Sequence, residues 1–532
     1  MLWQRFFSGR GFYLGLMFAQ AAARHPDVRV TLDRPLDVAD EYRRHYTYRD
    51  LADIVDDLAG RLWTAGVRPA DHVAIHKTDN VDIALLACAV SRIGAVPAML
   101  SPALSGVVVA GLLARIDRPW LVTDEAKLAG PLADVGVREL ARRVLTVGRL
   151  AGEVLGVTNL SGLSPDPSRR GPVRLAPQDP VLVTHSSGTT GVPKLAVHCA
   201  QAMWHRLVPQ KMLGWPTRGE TAALHMSFVH SRFYHALGVL LHYGSPLVLL
   251  VDPDPKSVGQ ILTSTRPGIL ETHPNTYVLW EDLADAPGAP LASVRCFGST
   301  FDAIHPRTVR RLLGASKRGS PWLTQLYGQS ETGPVSAWWY TRRSARKVNS
   351  RLVGIGLPGF TRVRVVDQDG NRAKPGTHGH IEARTYGRCL TYLGGEQLYK
   401  RQLDGDWWRM GDMGYLNRWG ALHLIDREVD QIDSVASSLE IEDVLMSRLE
   451  ELREVIVVPN GAGEAVPVVC TRNDEPLAPD RWKRATEDLP ALAGPMQWRF
   501  EDLPRTSTWK IKKLEIARML ASGAVPAVRY GG

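Results

Sequence analysis

A chain of 532 residues, 44% hydrophobic and 22% charged, has the length of roughly two to four domains and the make-up of a globular protein, not a fibrous or disordered one. Five scattered cysteines, Cys88, Cys199, Cys296, Cys389 and Cys470, form no C-x-x-C pair, which argues against a zinc site and a disulfide framework and for a reducing, cytoplasmic setting. The net charge of +9 has no denser source than the short KIKK run at 510–513, so nucleic acid is set aside as a partner and a field that favours anionic nucleotides is kept.

Near the start, Arg5 and Arg10 precede the apolar run GFYLGLMFAQAAA, a pattern that signal peptides share. Leu14, Met17, Phe18 and Ala21 recur at helical spacing and run into RHPDVRVTL, so the segment reads as a helix and a strand of the mature fold. No apolar run reaches the length of about 18 residues that a membrane helix needs. Thr47 followed by Asp50 is a capping signal for a helix with Leu51, Ile54, Val55, Leu58 and Leu62 on one face and a stop at Gly66. HVAIH, VPAML and PWLVTD then read as strands, alternating with the helices DNVDIALLACAVSRIGA and SGVVVAGLLARI. The alternation resumes at SPLVLLV, VGQILTST and GILETHP, and predicts parallel sheets covered by helices.

Between these blocks lies VTHSSGTTGVPK, residues 183–194, with VLVTH before it reading as a strand and LAVHCAQAMWHRLV after it as a helix. Glycines let backbone amides approach an anion, hydroxyls add donors and Lys194 adds a cation, which together suit a polyphosphate. The alternative is a Gly/Ser surface turn. The loop is not a Walker A motif, because Lys194 follows Val192 and Pro193 and precedes a leucine. Beyond about residue 350 short strands dominate: TRVRVVDQDGNR as a hairpin on an Asp-Gly turn, then GTHGHIEAR and ALHLIDR. A second break near Asp426 precedes a helix at 439–449, the strands EVIVVPN and AVPVVC, and a basic tail.

Taken together, THSSGTTGVPK, YGQSETG at 327–333, WRMGDMGYL at 408–416 and PRTSTWKIKK at 504–513 resemble, in order, the phosphate, adenine–magnesium, ribose and catalytic-lysine motifs of the adenylate-forming superfamily of acyl- and aryl-CoA synthetases, adenylation domains and luciferases. The resemblance implies an α/β fold: a large N-terminal AMP-binding domain of layered sheets with a β-rich subdomain at 1–425, and a small α+β lid at 426–532. It also implies an ATP- and Mg²⁺-dependent ligase that makes an acyl-adenylate and pyrophosphate. By that likeness Thr184, Ser186, Ser187, Gly188, Thr189, Thr190 and Lys194 would hold the departing phosphates, and Glu331 would hold Mg²⁺. Tyr327, Gly328 and Ser330 would lie along the adenine with Gly298 and Ser299 opposite; Asp412 and Arg427 would hold the ribose, and Lys510 would bridge the reacting atoms. His235 resembles the histidine bordering the acyl pocket and is placed with the catalytic residues; His230 and Arg232 add cationic or switchable groups to the same wall, where a buried arginine asks for an anion.

The junction after Asp426 departs from the family pattern: Val429 replaces a charged residue, Asp433 a lysine, the usual glycines are absent and the segment before Glu440 is short. Trp509 stands where a glycine usually precedes the catalytic lysine. The expected reaction is transfer of an activated acid to CoA or a carrier thiol. The alternative, motivated by these departures and by relatives in secondary metabolism, is activation of an acid or a small anion such as nitrite for an amine acceptor.

Overall fold

The computed structural model describes residues 10–39, 43–148, 152, 155–166, 169, 171–186, 193–300, 303–506 and 509–524. Contacts divide the chain into two compact units, both discontinuous in sequence. The first runs to Glu271 and adds Gln329–Gly333 and Thr385–Arg401; the second comprises Thr272–Gly328, Pro334–Arg384 and the chain from Gln402 onward.

In the first unit an eight-stranded sheet has the order Thr391–Tyr392, Leu195–Cys199, Pro180–His185, Val96–Met99, His72–Ile75, Trp120–Thr123, Arg143–Thr146 and Val157–Asn159. From Pro180–His185 onward the neighbours are parallel, and the two pairs before it are antiparallel. Strands Val96–Met99 and Trp120–Thr123 are buried along their whole length, as strands covered on both faces must be. The helix Tyr48–Ala65 begins with the expected capping box between Thr47 and Asp50 and ends at Gly66, whose φ of +107° only glycine takes without strain. The helices Asp82–Arg92 and Gly106–Ile116 also form as the periodicity predicts. A second group of strands in this unit runs Ile269–Thr272, Ala222–His225, Leu247–Leu249, Arg29–Leu32 and His45–Thr47.

One expected element is corrected here. LAVHC is a strand, Leu195–Cys199, and the helix starts only at Ala200. The segment pairs antiparallel with Pro180–His185, and this long-range ladder overrides a helical pattern whose first turn contains the β-branched Val197.

In the second unit the strand order is Thr361–Val366, Gly379–Thr385, Trp407–Leu416, Leu422–Arg427, Leu352–Gly356, Gly333–Thr341, Trp322–Gln329 and Cys296–Thr300. The Asp-Gly turn forms, with Asp367 Oδ1 accepting from the amides of Asp369 and Asn371, but the return arm is a single bridge between Val366 and Arg372 and no full strand. The boundary drawn at Asp426 falls inside this unit. Beyond it, the helix Ser438–Arg448 packs on the pair Leu452–Pro459 and Ala465–Thr471 through Ile441, Leu445, Leu452, Val455, Val457 and Val469. Among the described residues no helix is long and apolar enough to cross a membrane.

Candidate active site

In the first unit, strand Pro180–His185 leads into the glycine-rich loop and strand Leu195–Cys199 leads out of it. The Ser186 amide donates to the Lys194 carbonyl at 2.8 Å and the Lys194 amide donates to Ser186 Oγ at 3.1 Å, which pinches the base of the loop shut. Ser187, Gly188, Thr189 and Thr190, expected to carry the anion contacts, lie outside the described residues. Thr184 is fully buried, and its hydroxyl meets His198 Nε2 at 2.8 Å, so it braces the root of the loop inside the sheet.

Lys194 Nζ sits 5.3 Å from the centroid of the Tyr392 ring, a cation–π distance. The Tyr392 hydroxyl donates to Glu331 Oε1 at 2.6 Å. Burial, and next the Glu331 charge, push this phenol well above its ordinary range, so it remains a donor. The backbone carbonyl of Glu331 is held twice, by Arg206 Nη2 at 2.7 Å and by the Cys389 amide at 2.7 Å. Arg206 is itself buried and donates from Nε to the Gly387 carbonyl at 2.6 Å. Burial pushes its guanidinium down to about 10, which leaves it cationic at neutral pH. Neither Arg206 nor Tyr392 stood out in the sequence. Each acts through contacts that only folding creates, and a lone arginine in a helix or a lone tyrosine in LTYLGG carries no local signal.

His230 caps the helix Ser231–Tyr243, its Nδ1 accepting from the Arg232 amide at 3.1 Å. The ring proton therefore resides on Nε2, which donates to Ser330 Oγ at 3.0 Å. Two expectations change at this helix. The anion that Arg232 demands is supplied by the chain itself, since Arg232 Nε donates to Glu271 Oε1 at 2.8 Å and its fork also meets the Gln210 amide oxygen. His235, expected among the catalytic residues, is buried with Nδ1 at 2.7 Å from the Ser231 carbonyl and Nε2 at 3.1 Å from that of Met203. Burial pushes it down to about 3, so the ring is neutral and has one N–H for these two carbonyls: one nitrogen donates, the other faces a carbonyl without a proton, and both are turned into the chain's own backbone.

The second unit gathers the remaining residues. Gly298 and Ser299 lie on strand Cys296–Thr300, opposite Thr324 and Gln325. Ser299 Oγ, Thr300 Oγ1 and Gln325 Oε1 are buried without a hydrogen-bond partner among the described residues, a costly state that a polar ligand or water relieves. Further along Trp322–Gln329, the Tyr327 hydroxyl donates to Asp412 Oδ2 at 2.6 Å, and burial, then the Asp412 charge, push that phenol up. Gly328 follows it, and Arg427 stands opposite Asp412 in the strand register. Lys510 lies in a hairpin closed by the Arg505–Ile511 bridge, where the Thr506 amide donates to the Lys510 carbonyl at 2.8 Å and the Lys510 amide to Thr506 Oγ1 at 3.2 Å. Trp509 takes a φ of +59°, the backbone conformation that glycine adopts most easily, and Asn275 Nδ2 donates to its carbonyl at 2.6 Å. The junction is drawn tight: the carboxylate of Asp426 accepts from the Ser438 amide at 2.9 Å and from its hydroxyl at 2.6 Å.

The model of the family described as AMP-binding enzyme matches residues 18–393. The chain belongs to the AMP-binding enzyme family. A relative from Streptomyces cremeus, 3-amino-2-hydroxy-4-methoxybenzoate diazotase, is 55% identical to this AMP-binding enzyme over 538 residues, covering 98% of this chain and 97% of the relative. A second, 3-aminoavenalumate diazotase from a Streptomyces species, is 25% identical over 431 residues, 77% of this chain and 73% of that protein. Among solved structures, amide bond synthetase McbA from Marinactinospora thermotolerans matches with a TM-score of 0.76 at 22% identity, covering 95% of this chain and 99% of that one. The AMP-binding enzyme thus has the adenylate-forming fold and is an AMP-forming enzyme.

Proposed function

We propose that this enzyme adenylates nitrite with Mg·ATP and passes the nitroso group to an aromatic amine, which becomes a diazonium ion. The observation that carries this reading is the 55% identity, over 98% of the chain, to a protein named as the diazotase of an aminobenzoate. A nitrite oxygen attacks the α-phosphorus and pyrophosphate leaves, giving a mixed anhydride of nitrite and AMP. The amine nitrogen attacks the nitroso nitrogen, AMP departs with the bridging oxygen and a proton is lost. Protonation and loss of water from the resulting N-nitrosamine yield the diazonium.

Charge stabilisation dominates such phosphoryl chemistry, so the cations and donors matter most. Ser186, Lys194 and the loop residues 187–190 would hold the leaving pyrophosphate. Asp412 would accept from ribose hydroxyls, since the hydrogen bond from Tyr327 occupies one lone pair and leaves others, with Arg427 beside it. The orphaned atoms of Ser299, Thr300 and Gln325 suit a polar base near Gly298. Lys510 on its hairpin would meet the α-phosphate, and 426–532 would act as the lid that carries it. Mg²⁺ fits Glu331: a single buried carboxylate, with one oxygen fixed by Tyr392, suits a metal held mainly by substrate phosphates and water. Bound there, it would neutralise charge on the phosphates.

The rival, thioester formation with CoA, meets the short junction and Asp433, whose charge opposes a diphosphate. The deciding experiment is pyrophosphate release with nitrite or carboxylic acids, each with and without an aminobenzoate or CoA, with diazonium trapped by coupling to a naphthol. Nitrite-dependent release with dye formed only when the amine is present is the expected result. Release that follows a carboxylic acid, with a CoA thioester formed and nitrite inert, overturns the proposal.

A further inference from the structure

Tyr392 touches both groups that the reading above assigns to the metal-bound triphosphate. Its ring lies under Lys194 Nζ at 5.3 Å, and its hydroxyl donates to Glu331 Oε1 at 2.6 Å. The backbone gives it little freedom. Strand Thr391–Tyr392 pairs with Leu195–Cys199 so that Tyr392 stands opposite Ala196, two residues past Lys194. On either side the Leu390 amide donates to the Val197 carbonyl at 2.7 Å and the Leu393 amide to that of Leu195 at 2.8 Å. Tyr399 meets the ring edge-on at 5.6 Å, and its own hydroxyl is tied to the Cys389 carbonyl at 2.7 Å. The Cys389 amide in turn holds the Glu331 carbonyl.

We infer that Tyr392 is a positioning residue that couples the loop lysine to the Glu331 carboxylate, so that phosphate binding and metal binding reinforce each other. The hydroxyl fixes Oε1 and so holds the carboxylate in one orientation, which spares it an ordering cost when a cation arrives. The ring face holds the ammonium at the exit of the loop, and because a cation–π contact needs no acceptor atom, the lysine can donate to a phosphate without leaving the ring, already ordered for it. Arg206 and the Cys389 amide hold the Glu331 backbone, and Tyr392 donates to its carboxylate.

The inference rests on the phosphate and metal roles proposed above, and the test separates the two. ATP binding is measured by calorimetry in EDTA and across a Mg²⁺ titration for wild type, Tyr392→Phe, Tyr392→Leu and Glu331→Gln, alongside pyrophosphate release. Tyr392→Phe keeps the ring, so ATP affinity in EDTA should stay within about twofold of wild type, while the Mg²⁺ midpoint rises about tenfold, as expected for losing one hydrogen bond to a charged group. Tyr392→Leu should weaken ATP binding in EDTA as well. If Tyr392→Phe keeps the wild-type Mg²⁺ midpoint while Glu331→Gln shifts it, the coupling is refuted and the metal role stands. If Glu331→Gln shifts nothing, the metal role falls and takes the inference with it.

Discussion

Trp509 offers a test in which the backbone and the side chain make opposite demands. At φ +59° any residue with a Cβ is strained by about 1–2 kcal/mol, whereas glycine is not. Glycine also gives the unfolded chain more freedom, which costs about 0.5–1 kcal/mol. The two terms leave Trp509→Gly more stable than Trp509→Ala by about 0.5–1 kcal/mol, although both lose the same ring. That ring lies 5.5 Å from the Arg505 guanidinium, a contact of about 0.5–1 kcal/mol, so Trp509→Gly should fall within about 1 kcal/mol of wild type. A β-branched Trp509→Val should be the least stable of the three, because it adds χ1 crowding to the same φ. Guanidinium unfolding reads the order, provided the slope is unchanged between variants. Finding Ala as stable as Gly, or more so, would refute the argument that backbone conformation decides this site. Pyrophosphate release should follow the same order, since Lys510 is the next residue.

Two further outcomes are expected. Lys510→Ala should remove adenylate formation while ATP still binds; pyrophosphate release above about a tenth of wild type, a loss under about 1.4 kcal/mol, counts against its role. Acid should destabilise the first unit through His225 and His235, which burial pushes down to about 4 and about 3. The sign follows from protons taken up below about pH 6.5 by the unfolded chain and not by the fold, so stability is lost as pH falls from 6.5 towards those values. Each histidine should contribute about 2 kcal/mol of loss between pH 7 and 5. His305 has the opposite sign: burial alone lowers it, but Glu454 and Asp443 outweigh that and raise it well above its ordinary value. Its contribution is complete below about pH 6.5 and fades as pH rises through the raised value. Hydrogen exchange of the helix Ser231–Tyr243 at pH 7 and pH 5 reads the first effect, and His225→Gln should remove about half of it, leaving the His235 share.

The helices and strands were legible wherever a local pattern decides them. Thr47 and Asp50 placed a helix start by capping chemistry alone, and the runs from His72 to Thr123 announced a parallel sheet by alternation. Leu195–Cys199 was misread because its partner strand, not its own pattern, sets its state. At the site, the four motifs stood out in the sequence by composition and order. The contacts around Glu331 did not: Arg206 reaches Glu331 and Gly387, and Tyr392 reaches Glu331, across stretches of chain that no sequence window spans. His235 and Arg232 show the converse. Both are residue types suited to a pocket wall, and the fold uses both for its own polar bookkeeping, with the backbone carbonyls of Ser231 and Met203 and with Glu271.

The buried Arg206 also sets how this protein can be taken apart. Its two closest acceptors, the carbonyls of Glu331 and Gly387, come from short insertions that complete the first unit from far along the chain. A fragment ending at Glu271 would keep the cation but lose both acceptors and the segments packed over it, turning a buried, paired guanidinium into one open to water beside an uncovered core. A truncation of the first unit should therefore keep 329–333 and 385–401, whereas a chimaera with a relative keeps the arginine's acceptors wherever the crossover falls, because they are main-chain carbonyls that any residue supplies.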